Sequence, residues 1–279
     1  MNRTFKKWTA RDAAKCIITP SDLDHKYSRG VLGVITGSAR FPGAAVLSTS
    51  AASATGLGMI RFHSSSGLAH LVLHSAPSVV VQPGKVTAWL VGSGIEAKKY
   101  ADITTWLRHR WYKLTTLQSV PTVLDAGALH LAGSLEQPTL ITPHSGELSK
   151  LMIARGVQVT PEAIEGDPKK WVQEAADTLG VTVLLKGSTT YVANDSVLIP
   201  VATPWLATAG TGDVLAGVIG ALVATNTVEI LNDYNHLAYV AATGALIHAR
   251  AAESASNGGP INAEAIIEFI PRVITQLIK

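Results

Sequence analysis

Short apolar runs that end abruptly in glycine or a polar residue, with helix-forming stretches between them, constrain the fold of this chain more than any other feature. Residues 31–36 stop at Gly37-Ser38, residues 88–91 at Gly92-Ser93-Gly94, and residues 122–124 at Asp125. Residues 139–142 stop at Pro143-His144, and residues 181–186 close with Lys186 before Gly187. Runs this short and this apolar suit strands buried on both faces. Helices are expected over residues 42–54, about 96–110, 162–179, 231–255 and 263–279. Pro42 suits a first turn and Gly56-Leu57-Gly58 closes that helix. Pro161, Gly166 and Pro168 imply a break near the start of the third. Residues 59–63 and 78–82 add apolar runs, and a hairpin is expected through Asn194-Asp195. Alternating strands and helices predict an α/β fold, a mostly parallel central sheet with helices on both faces. Ligands of such sheets bind beyond the carboxyl ends of the strands, where these polar residues fall.

No linker, composition break or fixed-period repeat interrupts the chain, so residues 1–279 read as one domain. Residues 1–26 form a lead-in, with Asp22, Asp24, His25, Lys26 and Tyr27 in an ordered loop before the first strand. With 47% hydrophobic and 15% charged residues, the chain can bury a sizeable core, and its low charge hints at surface covered in an oligomer. A net charge of +3 without a Lys/Arg stripe among aromatics is no nucleic-acid footprint. The nine histidines lack metal-ligand spacing, which argues against zinc. A lone cysteine, Cys16, rules out a disulfide within the chain and suits a reducing cytoplasm. Residues 1–15 carry charges and no apolar core, unlike a signal peptide. The apolar stretch 214–224 is too short for a membrane span. The sequons at Asn2 and Asn194 read as chance matches.

Three constellations carry chemistry. Residues 206–222 (Leu-Ala-Thr-Ala-Gly-Thr-Gly-Asp-Val-Leu-Ala-Gly-Val-Ile-Gly-Ala-Leu) pass from a glycine-rich loop into an apolar helix, with Asp213 at the transition. Ala209, Gly210 and Gly212 admit a ligand close to the backbone, and a helix N-terminus suits phosphate or a developing oxyanion. Asp213 fits either a capping role or that of a base. Lys186-Gly187-Ser188-Thr189-Thr190 is either a phosphate-pairing turn or a solvated hairpin. Residues 142–148 set His144 and Glu147 around Gly146 after a strand: His144 suits a substrate hydrogen bond or a structural role, and Glu147 suits capping a helix or orienting water and metal. Gly37-Ser38 with Pro42-Gly43-Ala44-Ala45 fits a ligand over a helix start or tight helix–sheet packing. Walker A, nicotinamide-type Gly-x-Gly-x-x-Gly and His-Glu-x-x-His patterns are absent. A Lys/Thr turn, a glycine-rich helix start and an Asp at that start together supply what phosphoryl transfer needs.

From about Tyr27 to the C-terminus the chain resembles the ADP- or ATP-dependent NAD(P)H-hydrate dehydratases. The matching blocks are residues 37–45, 56–58, 91–94, 124–126, 142–147, 185–190 and 206–217. The resemblance implies a ribokinase-like fold. It places Ala44, Gly94, His144 and Asp213 against the hydrated nicotinamide nucleotide. It places Lys186, Gly187, Ser188, Thr189 and Thr190, with Gly212, against the adenine nucleotide. Asp213 is the implied catalytic base, and the amides of Gly210, Thr211 and Gly212 the anion hole. The implied reaction restores NADH or NADPH from the S-form of its hydrate, by phosphorylation of the ring hydroxyl and loss of phosphate. ADP, or ATP, would be the donor and Mg²⁺ would bridge its phosphates, with the metal ligands unassigned. A stand-alone, cytoplasmic homotetramer is implied. Ser145, Trp205 and Gly127 depart from the family pattern, without removing any of these contacts. The alternatives are a ribokinase-like kinase of a small vitamin-precursor alcohol, of the hydroxyethylthiazole or hydroxymethylpyrimidine type, and a nucleotide sensor without chemistry.

Overall fold

A computed structural model describes residues 5–97, 103–193, 197–200 and 203–279. The chain opens with β1 (Lys6–Lys7) and α1 (Ala10–Ala14), followed by β2 (Val31–Ile35), α2 (Pro42–Thr55), β3 (Met59–Phe62) and α3 (Ser66–Ser75). Next come β4 (Ala88–Val91), α4 (Ile103–Trp111), α5 (Lys113–Leu117), β5 (Thr122–Leu124) and, after a 3₁₀ turn, β6 (Thr139–Ile141). Then follow α6 (Ser145–Ala154), α7 (Pro161–Gly166), α8 (Pro168–Leu179) and the strands β7 (Thr182–Leu185), β8 (Thr189–Ala193) and β9 (Val197–Pro200). Four helices complete it: α9 (Thr211–Thr225), α10 (Thr227–Asn232), α11 (His236–Ser256) and α12 (Ala263–Ile278).

The strands form one sheet in the order β1-β9-β8-β7-β6-β5-β4-β2-β3, parallel except for β7–β8 and β8–β9. Its faces have separate cores. Leu32, Val34, Leu90, Val123 and Leu184 point to the layer of α1, α2, α3, α9, α11 and α12. Val31, Ile35, Trp89, Leu124 and Ile141 point to the layer of α5, α6, α7 and α8. Burial on both sides explains why these runs show no polar alternation. The small residues between α2 and α9 let the two helices touch: a Cβ at Gly217 would stand 2.3 Å from the Ser48 carbonyl oxygen.

The structure corrects several expectations. The lead-in already holds a strand and a helix: β1 pairs with β9, and a Thr9/Asp12 capping box starts α1. Trp8 and Cys16 are buried there. The loop near residue 24 is held by hydrogen bonds from the Ser21 amide and the Ser28 hydroxyl to the Asp24 carboxylate. Residues 78–82 make only one isolated bridge, Val80 to Arg61. The helix expected over 231–255 is two, because Asp233 leaves helical geometry between α10 and α11. Thr189 and Thr190 belong to β8 instead of the turn, because residues 186–188 alone join β7 to β8. Asn2, residues 98–102 and the expected hairpin turn at Asn194-Asp195 lie outside the described residues. The break between α7 and α8 falls at Asp167, whose side chain caps α8.

Candidate active site

The carboxyl ends of β2, β4, β5, β6 and β7 converge with the start of α9. On one side the site is shaped by missing side chains. Gly94 has φ of +66°, open to glycine without strain, and a Cβ there would stand 2.2 Å from the Ala44 Cβ. The loop after β4 therefore rests on the first turn of α2, bringing Ala44 and Gly94 together. At the exposed rim, Arg40 Nη1 pairs with Glu96 Oε1 at 2.8 Å.

Gly210, at φ +90°, precedes α9 without a side-chain cap, and a Cβ there would collide with Leu47 at 2.6 Å. The Thr211 hydroxyl donates to the carbonyls of Leu206 and Thr208, at 2.9 and 3.0 Å, and ties the loop from within. The first-turn amides of α9 are thus left without a side-chain acceptor. Beneath them lies His248, pushed down to about 4 by burial, against an opposing backbone hydrogen bond at Thr211. It is neutral at working pH.

The other side is charged. Asp125, buried at the end of β5, accepts the Ser93 hydroxyl at 2.9 Å, the Thr142 hydroxyl at 2.8 Å and Lys186 Nζ at 3.2 Å. Lys186 Nζ also lies 3.8 Å from Glu147 Oε2. A Cβ at Gly212 would stand 3.9 Å from the same nitrogen, so the ammonium abuts the start of α9. Burial pulls the Lys186 ammonium down, but Asp125, Glu147 and Asp213 outweigh it and the net shift is upward. Asp213 is raised to about 7, first by burial and then by the negative charge of Asp125, with Lys186 opposing. A carboxylate poised near neutrality is a suitable general base.

His144 caps α6. Its Nδ1 accepts the amides of Gly146 and Glu147 at 3.1 and 3.4 Å, while Glu147 Oε2 accepts the His144 amide at 2.9 Å. With Nδ1 an acceptor, the neutral ring carries its proton on Nε2, which lies 3.5 Å from Glu147 Oε2 on a largely exposed side chain. Gly187, Ser188 and Thr189 border a cavity of about 510 Å³ with Ser145, Ile164, Leu185 and Tyr191. Thr190 pairs with Ile199 in the sheet and does not line that cavity. The sequence marks Asp125 as a polar residue at a strand end and Glu147 as a cap or an orienter of water and metal, but gives neither a role beside Lys186. Their tie to Lys186 spans distant chain segments and leaves no local signal.

Among the described residues no group of three or more His, Cys, Asp or Glu could hold a metal unaided. Magnesium needs only one or two protein carboxylates when phosphates complete its shell, and Glu147, its second oxygen unengaged, fits that role.

A mostly parallel sheet flanked by helices, with a half-buried carboxylate at a glycine-opened helix start beyond the strand ends, is a ribokinase-like fold. Solved structures agree on the fold. The ADP/ATP-dependent NAD(P)H-hydrate dehydratase of Bacillus subtilis, crystallised with ATP and Mg²⁺, superposes with TM-score 0.81 at 24% identity over 99% of both chains. A ribokinase-like protein of Enterococcus faecalis gives 0.82 at 19% identity, covering 98% of this chain and 96% of that one. A model of the NAD(P)H-hydrate dehydratase family matches residues 32–272, and the chain belongs to that family. It is 38% identical to the bifunctional NAD(P)H-hydrate repair enzyme of Mycobacterium tuberculosis over 77% of this chain and 45% of that protein. It is 32% identical to the ADP-dependent (S)-NAD(P)H-hydrate dehydratase of Neisseria meningitidis, over 72% of this chain and 71% of that one. The chain spans about half the length of the bifunctional relatives it matches first.

Proposed function

We propose that this protein dehydrates the S-form of hydrated NADH and NADPH at the expense of ADP or ATP. The observation that carries the proposal is Asp213: a carboxylate raised to about 7 at an uncapped helix start, one residue from the backbone that abuts Lys186. Ala44 and Gly94 form the floor for the hydrated ring, and the largely exposed His144 ring, its Nε2 beside Glu147, is the further substrate contact. Asp213 takes the proton of the ring hydroxyl as that oxygen bonds to the terminal phosphorus, and the bond to the leaving phosphate oxygen breaks. The amides of Gly210, Thr211 and Gly212 and the Lys186 ammonium balance the charge on the phosphoryl oxygens. Gly187, Ser188 and Thr189, which border the cavity, hold the adenine nucleotide, and Thr190 supports them from within β8. Mg²⁺, when bound with the nucleotide, neutralises phosphate charge, and Glu147 would hold it. The ring carbon–oxygen bond then breaks, inorganic phosphate leaves and a proton is lost from the neighbouring carbon. Phosphorylation helps because phosphate is a far better leaving group than hydroxide.

The same proposal takes residues 1–279 as one domain, supported by β1 of the lead-in pairing at the edge of the common sheet. A cytoplasmic location is proposed with it, on the lone buried cysteine, and a homotetramer, on the family resemblance. No described helix is long and apolar enough to cross a membrane.

The test is recovery of reduced-nicotinamide absorbance from chemically hydrated NADH, with Mg²⁺ and ADP, with Mg²⁺ and ATP, and without nucleotide. Nucleotide-dependent recovery is expected and identifies the donor. Release of a stable phosphorylated alcohol without recovery would point to a small-alcohol kinase instead.

A further inference from the structure

Lys186 stands between three carboxylates but pairs with two. Its ammonium lies within 4 Å of Asp125 and Glu147, while Asp213, whose helix start it abuts, forms no such pair. We infer that Asp125 is a positioning residue, which holds the Lys186 ammonium off Asp213 and so leaves Asp213 free to act as base. This rests on Asp213 being the base.

The seat of Asp125 is built from several strand ends. Ser93 after β4, Thr142 after β6 and Lys186 after β7 all donate to it. Gly92 lets the β4 loop press on its backbone: a Cβ there would stand 2.0 Å from the Asp125 carbonyl oxygen. The next residue, Ala126, sits at φ +42°, a left-handed conformation that a side chain disfavours. Two hydroxyls and a strained backbone hold this carboxylate where it competes for the lysine. Without it, Glu147 and Asp213 are left to compete for the ammonium, and an ion pair with Asp213 would lower its basicity and block its approach to the substrate.

The groups bearing on Asp213 are few. Asp125 and Lys186 act on it directly. Glu147 on α6 reaches it through Lys186. On the helices packed against α9, α2 carries no charged residue, neutral His248 lies on α11, and Glu264 at the start of α12 is exposed.

The experiment is a carboxyl-carbon NMR titration of Asp213 in the full chain without nucleotide, in four proteins: wild type, Asp125→Asn, Lys186→Met and the double variant. Asp125→Asn is expected to lower the Asp213 midpoint by about one unit or more, a tenfold gain in acidity. The same substitution in the Lys186→Met background is expected to lower it by less, because only the direct repulsion between the two carboxylates is then removed. An equal fall in both backgrounds would overturn the inference, because it would reflect simple repulsion between carboxylates. No fall in either would also overturn it. If Asp125→Asn does not fold, the Ser93→Ala/Thr142→Val double variant loosens the same seat and is expected to give a smaller, Lys186-dependent fall; none overturns the inference. The acid limb of the kcat/KM profile should move with the NMR midpoint. Turnover retained in Asp213→Asn would remove the base assignment, while the titration would still report what Asp125 does to Lys186.

Discussion

The two sides of the site are built by opposite means. Around Ala44, Gly94 and Gly210 the chain makes room by leaving side chains out: a Cβ at Gly94 would strike Ala44 and one at Gly210 would strike Leu47. Around Asp125, Glu147 and Lys186 it fills the space with charges that neutralise one another. The first arrangement fixes shape and the second fixes electrostatics. Asp213 stands where they meet, opened to ligand by the glycines and tuned by the charges. Substitutions on the two sides should therefore fail differently: steric changes in binding of the ring-bearing substrate, charge changes in nucleotide binding and proton transfer.

The largest effect is expected at the junction. Asp213→Asn should reduce turnover by about 10²–10⁴-fold, the usual worth of a general base, with both ligands still bound in calorimetry. Turnover near wild type in a folded variant would remove the junction from the comparison. Next comes the charged side: Lys186→Ala should weaken nucleotide binding by about 10–100-fold, the loss of a charge-assisted contact. An unchanged nucleotide affinity would show that the lysine serves only the local ion pairs.

On the shaped side, Gly94→Ala forces a Cβ onto Ala44 at positive φ and should cost about 1–3 kcal/mol of stability. KM for the hydrated dinucleotide should rise while nucleotide affinity stays level. Adding Ala44→Gly should restore part of both losses, and a KM that never moves would show that this floor lies away from the substrate.

The smallest effect concerns pH. The Asp213 midpoint near 7 lies above its ordinary value of 3.8, so the folded chain binds a proton the unfolded chain has released. This contribution to stability is present below about pH 4 and is lost as pH rises through 7. Asp213→Asn should therefore melt higher than wild type at pH 8 and lose that advantage at pH 4, by a few degrees (~2–4 °C per kcal/mol). Over the same interval wild-type turnover should rise, because only the ionised carboxylate accepts the proton. A melting difference independent of pH would mean that burial does not raise this group.

The parallel strands were legible because doubly buried strands are uniformly apolar and stop where polar groups meet the site. A break near the start of the helix expected over 162–179 was legible because Pro168 lacks the amide to continue a preceding helix and suits a first turn, and the structure places it at Asp167. β1 and α1 were not: Lys6 and Lys7 form a strand only because β9 offers them an edge. Asp233 interrupts the helix expected over 231–255 without glycine or proline to announce it. The sequence leaves His144 open between a substrate contact and a structural role. The structure gives it a structural one, with Nδ1 capping α6 and Nε2 beside Glu147.

By itself the sequence determined the sheet type, the end of the sheet that carries chemistry, and the family through its glycine-bearing loops. These follow from local rules: strand burial, glycine conformation and the polarity of a helix start. Only the tertiary structure decided which charges meet. Asp125, Glu147 and Lys186 are far apart in the chain, and their distances depend on the order of β5, β6 and β7 in the sheet. The basicity of Asp213 depends in turn on burial and on that neighbouring carboxylate, both set by packing that no local pattern records.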